Sequence, residues 1–556
     1  MARPPLHLMV VLQIRFLAAL CACGRVAATD LPSAPSRRGS AFITSSSRLI
    51  GGRPEALRTS DLSLRRRVGA EHSMSFLASL RKGRRPLQTL LGSAAEDGLD
   101  SDAQEARRAY YDRLENLPLP KGFYLGVAKD IIFFPQELPL ESSKPYKLNM
   151  ALLTTEKPSE NFAAVFTKNR FCGHPVTLGR QRLAESTKMG GLLVNNRISN
   201  AANKHGMDKA ETLCVDVANG LGPDWSAENI AVSSTGIIGW ELPMKEMASA
   251  IPQLIESRFQ VEKEKDIGSH SVADFARAIM TTDAYPKAFG ITLKNGAKVV
   301  GVAKGAGMIE PNMATMLVFI LTDMAVPRAT LQKTLDKVVA ETFNCISIDA
   351  DESTSDTVWL LSSNRVPLGG GDGDSDPDAQ LLEFQEALFE VSRQLSKEIV
   401  RNGEGVKHVI ECNVSRAPSF AIAKALAKSV INSPLLKSAI AGNDPNIGRL
   451  ACALGSALGR VGEGLTDEQL RKTKIFMDRD SVYSNGAFNL TPELERKLTE
   501  YMRSAELFIG GKKPDFPSHD RSVRIDVDMD LGQSSCRVYG ADLTVEYVIE
   551  NSQYRS

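Results

Sequence analysis

Charge of one sign is nearly absent from this chain as a surplus. Its 67 Lys and Arg residues meet 66 Asp and Glu, leaving a formal net charge of +1 over 556 residues. No one-signed field is therefore available to gather nucleic acid or an anionic membrane, and neither is expected as a partner. Cysteines are few and far apart, at positions 21, 23, 172, 214, 345, 412, 452 and 536. That spacing excludes a dense disulfide framework and a metal knuckle, and points to reduced, structural thiols. The seven histidines are equally scattered, with no His-x-x-x-His pair or Cys-His cluster to suggest zinc. Long apolar runs are missing too. Leu6 to Cys23 is interrupted by His7, Gln13 and Arg15, too short and too polar for a membrane span.

Acids are scarce in one stretch only. Between residues 36 and 85 eleven arginines accompany many serines, with Glu55, Asp61 and Glu71 the sole acids. Arg- and Ser-rich, acid-poor composition is the signature of an organelle transit sequence. The plainer alternative is a disordered basic tail. We expect residues 1–115 to be a largely disordered leader, with roughly the first hundred residues removed on import. The mitochondrial matrix is the expected destination, and a plastid the alternative.

What is present beyond the leader is an ordinary globular composition, 43% hydrophobic and 24% charged, in a chain too long for one core. Short β-prone runs at 147–154, 162–166, 191–194 and 230–233 are bounded by turn residues. Phe289 to Gly301 reads as a hairpin on Asn295-Gly296. Helices are expected at 380–401, 446–458 and 491–504, the last capped by Thr491 with Glu493 and Glu495 in its first turn. Ser522 to Val548 alternates through two or three strands. Strands and helices mixed without a repeating βαβ order predict a layered α+β fold.

Asp372-Gly-Asp374-Ser-Asp376-Pro377-Asp378, with Glu383 following, imitates a calcium loop. Proline stands at the position where such loops turn on glycine, so a solvated surface insertion is expected instead. A non-enzymatic calcium or interaction module would rest on this segment and predicts an intact chain.

The most informative stretch runs from Lys304 through Gly305, Gly307 and Pro311 to Ala314-Thr315 and an apolar run. One reading is a chain that cuts itself between Ala314 and Thr315 and then uses Thr315 as nucleophile. A threonine hydroxyl needs an adjacent base, and cleavage would free one on the same residue, an α-amine titrating near ~7.7–8.0. The other reading is the plain start of a buried strand. Ser234-Thr235-Gly236 follows an apolar strand; it could supply oxyanion donors or be a simple strand-to-loop turn.

Further segments occur in the order of one known family. They include Asn161-Phe-Ala-Ala-Val-Phe-Thr-Lys-Asn169, Ser234-Thr-Gly-Ile-Ile-Gly239 and Ala278-Ile-Met-Thr-Thr-Asp283. After Thr315 come Val400-Arg-Asn-Gly-Glu-Gly405, Ser433-Pro-Leu-Leu-Lys437, Asp444-Pro-Asn-Ile-Gly-Arg449 and the C-terminal Tyr547 to Ser556. Over residues 121–556 the chain resembles the bifunctional glutamate/ornithine N-acetyltransferases of arginine biosynthesis, the ArgJ family. The resemblance implies an N-terminal-nucleophile-like sandwich and an autoproteolytic N-acyltransferase that moves acetyl from N-acetylornithine to glutamate. Thr315 becomes the nucleophile, and Thr235 and Gly236 the oxyanion hole. Thr281 (less probably its neighbour Thr282), Lys304, Glu404, Asn551 and Ser556 become substrate contacts. It further implies an alpha chain 116–314, a beta chain 315–556, a heterotetramer of two of each, no cofactor, and acetyl-CoA as an optional second donor. Ser556 where threonine is common, Ile447 where tryptophan is frequent, and the run Val194 to Asn203 depart from the family pattern. An N-terminal-threonine amidase or aminopeptidase is the rival enzyme. It would share Thr315 and Thr235 but lack a pocket for a second amino acid.

Overall fold

Leu317 to Met324 is buried residue after residue, and the faces alternate: Leu317, Phe319 and Leu321 enter one hydrophobic core while Val318, Ile320 and Met324 enter another. A strand reads as an unbroken apolar run only when its sheet is covered on both sides. That sheet is the middle layer of a computed structural model describing residues 101–139, 144–258, 271–310, 316–369 and 376–553. Ala314, Thr315, Ser556, Asp372, Asp374 and the Arg-rich stretch 36–85 lie outside the described residues.

In chain order the strands are β1 (Phe123–Phe133), β2 (Tyr146–Ser159), β3 (Phe162–Phe166), β4 (Met189–Asn195), β5 (Ile230–Ser234), β6 (Lys287–Thr292), β7 (Lys298–Lys304) and β8 (Leu317–Ala325). There follow β9 (Ile346–Ser347), β10 (Thr357–Pro367), β11 (Val409–Ala417), β12 (Lys474–Met477), β13 (Asp480–Ser484), β14 (Ala487–Phe488), β15 (Val523–Asp528) and β16 (Ser534–Ala541). They form a four-stranded sheet β1-β2-β4-β5, the middle sheet β3-β10-β8-β7-β6, and a seven-stranded sheet β14-β13-β12-β15-β11-β16-β9. One core lies between the four-stranded and middle sheets. Helices Arg328–Glu341 and Pro377–Arg401 cover the middle sheet's other face, and helices Gly206–Leu221 and Met244–Glu256 cover the outer face of the four-stranded sheet. This is the layered α+β architecture expected.

The predicted strands and the hairpin form, with Gly296 at φ +80° in the turn. Thr491 caps its helix as expected, its hydroxyl accepting from the Leu494 amide. Three expectations need correction. Ser101–Glu115, placed in the leader, is a helix that buries Tyr110 and Leu114 in the core between the sheets. The long helix begins at Pro377 rather than Gln380, because the Asp376 carboxylate accepts the Asp378 amide and caps it; Glu383, at the last position of the calcium-loop imitation, accepts the Lys294 amide. Val545 to Val548 is helical, part of Val545–Gln553, rather than a further strand. There the Thr544 hydroxyl accepts the Tyr547 amide at 3.1 Å, and this N-cap overrides the apolar alternation.

Phe319 is fully buried and meets Phe275 edge to face at 5.7 Å. Phe319→Ala is expected to cost about 3–5 kcal/mol, read as a lowered denaturation midpoint. Phe171→Ala, at a ring 75% exposed, should stay within about 0.5 kcal/mol.

Candidate active site

The middle sheet ends in one row. Antiparallel pairing sets Lys304 of β7 opposite Leu317 of β8, parallel pairing sets Leu317 beside Thr357 of β10, and Thr357 stands opposite Phe166 of β3. One residue outside that row stand Gly305, Met316, Asp356 and Thr167, so the end of β7 and the starts of β8 and β10 open on the same side. Here lies a cavity of about 570 Å³, lined among others by Thr235, Gly236, Thr281, Lys304, Glu404 and Asn551.

Strand β5 delivers Thr235 and Gly236. Gly236 has φ +129°, and a Cβ there would lie 2.3 Å from the Arg197 carbonyl carbon and oxygen. Only glycine fits so close to another backbone segment. The Thr235 amide donates to Asn195 O at 3.2 Å, whereas the Gly236 amide makes no hydrogen bond among the described residues. The Thr235 hydroxyl accepts from Lys304 Nζ at 3.2 Å, which leaves its own proton for an acceptor in the cavity. Among the described residues, two donors are thus left where the chain turns. Asn195 and its neighbours, in the run that departs from the family pattern, brace this turn: Ser234 Oγ donates to Asn195 Oδ1 at 2.7 Å.

Charges of both signs meet around the cavity. Asp283 is buried; its carboxylate accepts from Lys287 Nζ, from the Gly305 amide at 2.8 Å and from the Thr281 amide at 2.9 Å. Burial opposes its charge, but Lys287 and Lys304 together with these bonds hold the carboxyl below the usual range. Glu404 follows the C-terminus of helix Pro377–Arg401. Its amide donates to Ala306 O at 2.8 Å, and its carboxylate accepts from Asn551 Nδ2 at 2.9 Å. A Cβ at Gly307 would lie 2.3 Å from the Glu404 carboxylate, so that glycine makes room for it. Gly405 has φ +60° and abuts the amide of Tyr547, while Thr544 Oγ1 donates to its carbonyl at 2.7 Å. The C-terminal helix is thereby clamped to the Glu404 turn, which is why Asn551 is ordered against it rather than frayed.

Sequence reasoning overlooked other residues. Lys513 lines the cavity and donates to Asn402 O at 2.8 Å and to Gly403 O. Burial pushes its ammonium down to about 8, against the attraction of Glu550. Burial also raises Glu550, another lining residue. Asp356 is buried, and desolvation raises its pKa well above normal against the opposing pull of the Met316 amide, the Thr167 hydroxyl and Lys304. The i,i+4 pair Asp283 and Lys287 was visible in the sequence as two opposite charges on either side of Ala-Tyr-Pro. Lys513 had no such signal, since Gly-Gly-Lys-Lys reads as a surface turn. Both Thr281 and Thr282 line the cavity. Among the described residues, no cluster of three or more His, Cys, Asp or Glu side chains could hold a metal ion.

This is a layered α+β enzyme scaffold with a mixed-charge cavity at the ends of its sheets, and sequence comparison supplies the family. A model of the ArgJ family matches residues 140–556. The arginine biosynthesis bifunctional protein ArgJ 2 of Clostridium acetobutylicum is 33% identical over 440 residues, covering 79% of this chain and 98% of that protein. The glutamate N-acetyltransferase of Methanocaldococcus jannaschii is 34% identical over 427 residues, covering 76% and 97%. The crystal structure of the Bacillus halodurans ArgJ protein aligns at 28% identity over 42% of this chain and 98% of that one, with a TM-score of 0.35. The chain belongs to the ArgJ family, acyltransferases of arginine biosynthesis.

Gly236→Ala should therefore displace the Thr235 turn and remove most activity while the protein stays folded, measured by turnover and circular dichroism together. Asp283→Asn leaves Lys287 buried without its counter-charge, a loss of about 3–5 kcal/mol. Because the folded carboxyl titrates below its unfolded value, this contribution is fully present above ~3.9 and fades as pH falls further. Denaturation of wild type and variant between pH 8 and pH 3 should show a constant gap that narrows only at the acid end.

Proposed function

We infer that this chain transfers the acetyl group of N2-acetylornithine to glutamate through an acetyl-enzyme on Thr315. The observation supporting it is the convergence in one cavity of Thr235, Gly236, Thr281, Lys304, Glu404 and Asn551 from separate segments of the chain, Lys304 standing opposite Leu317, the residue after Met316. One peptide bond separates Met316 from Thr315.

In this reading the Thr315 hydroxyl first attacks the Ala314 carbonyl, and water releases the resulting ester. The new α-amine of Thr315 then serves as base. It takes the proton of its own hydroxyl as that oxygen attacks the acetyl carbonyl of N-acetylornithine. The Gly236 N–H and Thr235 O–H donate to the oxyanion. Collapse expels the ornithine nitrogen, which receives the proton held by the amine. The α-amine of glutamate attacks the acetyl-threonine ester by the reverse sequence and leaves as N-acetylglutamate. Lys304, beside Thr235, offers a cation for the substrate carboxylate, and Glu404 an anion for the ornithine ammonium. No metal or organic cofactor is required. An amidase needs no acceptor subsite, so it leaves the charges at the Glu404 end of the cavity without a task. Organelle import and an assembly of two alpha and two beta chains belong to the same reading, open to cell imaging and native mass measurement. An assay with acetyl-CoA and glutamate decides whether a second donor serves.

Thr315→Ala should abolish both cleavage and transfer, and Thr315→Ser retain part of each. N-terminal sequencing of the purified protein should find a chain beginning at Thr315; a fully active uncut chain would refute the scheme. Glu404→Gln removes a charge-assisted hydrogen bond of ~1.5–3 kcal/mol. Its kcat/KM for N-acetylornithine should fall about ten- to a hundredfold, with cleavage retained. Unchanged donor kinetics in the cut variant would remove Glu404 from this role.

A further inference from the structure

The two amino acids handled in this reading differ at the far end of the side chain. Ornithine ends in an ammonium and glutamate in a carboxylate. With one nucleophile, both place the acylated nitrogen at the same atom, so a single distal subsite meets a cation in one half-reaction and an anion in the other. A lone fixed charge there would hold one ligand and repel the other.

The cavity carries both signs at that place. Lys304 belongs to the reacting end, since it donates to the Thr235 hydroxyl. Glu404 and Lys513 line the same cavity and are joined through one turn: Lys513 Nζ donates to the carbonyls of Asn402 and Gly403, the two residues before Glu404. An ammonium has three N–H donors, and among the described residues two of them are used, which leaves one for a ligand. The charges facing Lys513 are Glu550, Lys287, Glu404 and Asp283. Lys287 and Asp283 form their own buried ion pair and act on Lys513 with opposite signs, while Glu404 and Glu550 both favour its charged form.

We propose that Glu404 and Lys513 form one two-signed subsite for the distal group, with Glu404 receiving the ornithine ammonium and Lys513 the glutamate γ-carboxylate. The assignment rests on the acetyl-transfer reading above and extends it to acceptor specificity. Lys513 is charged below its depressed pKa of about 8, so the preference it creates weakens as pH rises through that value.

Calorimetric binding of glutamate, glutamine and ornithine to the cleaved enzyme tests this. In Lys513→Met, glutamate should bind about ten- to a hundredfold more weakly, the loss expected for one charge-assisted hydrogen bond. Glutamine should lose less, and ornithine should bind more tightly because a like charge is gone. Lys513→Arg should keep the preference for glutamate over glutamine. In the wild type that preference should decline as pH is raised past about 8. If Lys513 only braces the Glu404 turn, all three ligands weaken alike and the wild-type preference stays flat with pH; either result overturns the proposal. The wild-type pH series decides even if the Met variant misfolds. Absence of acetyl transfer in the wild type would instead refute the function proposed above, an outcome that these binding ratios do not mimic.

Discussion

The site hangs on the buried carboxylate of Asp283. It gathers Lys287 from the start of β6, the Gly305 amide from just beyond β7, and the Thr281 amide from its own loop. A buried carboxylate without partners would be untenable, and a buried lysine likewise. Each group therefore fixes the other, and together they fix where β7 ends and where Lys304 points. Removing the pair in favour of apolar residues could preserve stability. It would not preserve the hydrogen bond that sets Gly305, and with it the loop leading toward Thr315.

From that anchor the rest follows as a sequence of close approaches that only glycine permits. Gly236 lies against the Arg197 backbone, Gly307 against the Glu404 carboxylate, and Gly405 against the Tyr547 amide. Each brings one functional segment within reach of the next, so the cavity is assembled from β5, β7, the turn after helix Pro377–Arg401 and the C-terminal helix. These contacts explain why residues so distant along the chain line one cavity, and why the terminal helix, carrying Asn551, reaches it.

Much of this was legible beforehand. Strands with turn residues at both ends, the Asn295-Gly296 hairpin and the Thr491 cap are local signals, and local chemistry decided them. The long helix was foreseen except for its first turn, where Asp376 looked like a calcium ligand and is an N-cap. The C-terminal helix was misread because Thr544 caps it while its apolar residues imitate strand alternation. Ser101–Glu115 was assigned to the leader as the continuation of the Arg- and Ser-rich stretch upstream, yet its Tyr110 and Leu114 fall on one face and are buried. Thr235, Gly236, Lys304, Glu404 and Asn551 were named from ordered motifs, and the structure brings them to one cavity. Lys513 was invisible, since a lysine after two glycines carries no sign of burial.

That blind spot has a physical origin. Sequence patterns report what a residue prefers on average, and lysine prefers water. A half-buried lysine bonded to the carbonyls of Asn402 and Gly403 is there only because tertiary structure supplies acceptors and counter-charges that no local window contains. Asp356, buried just before β10, is likewise kept where desolvation opposes its charge. Residues kept in such unfavourable settings reveal what a cavity demands beyond stability. Here the demand is charge of both signs in one place, and a chain with a net charge near zero can provide it only by concentrating acids and lysines locally rather than by its overall field.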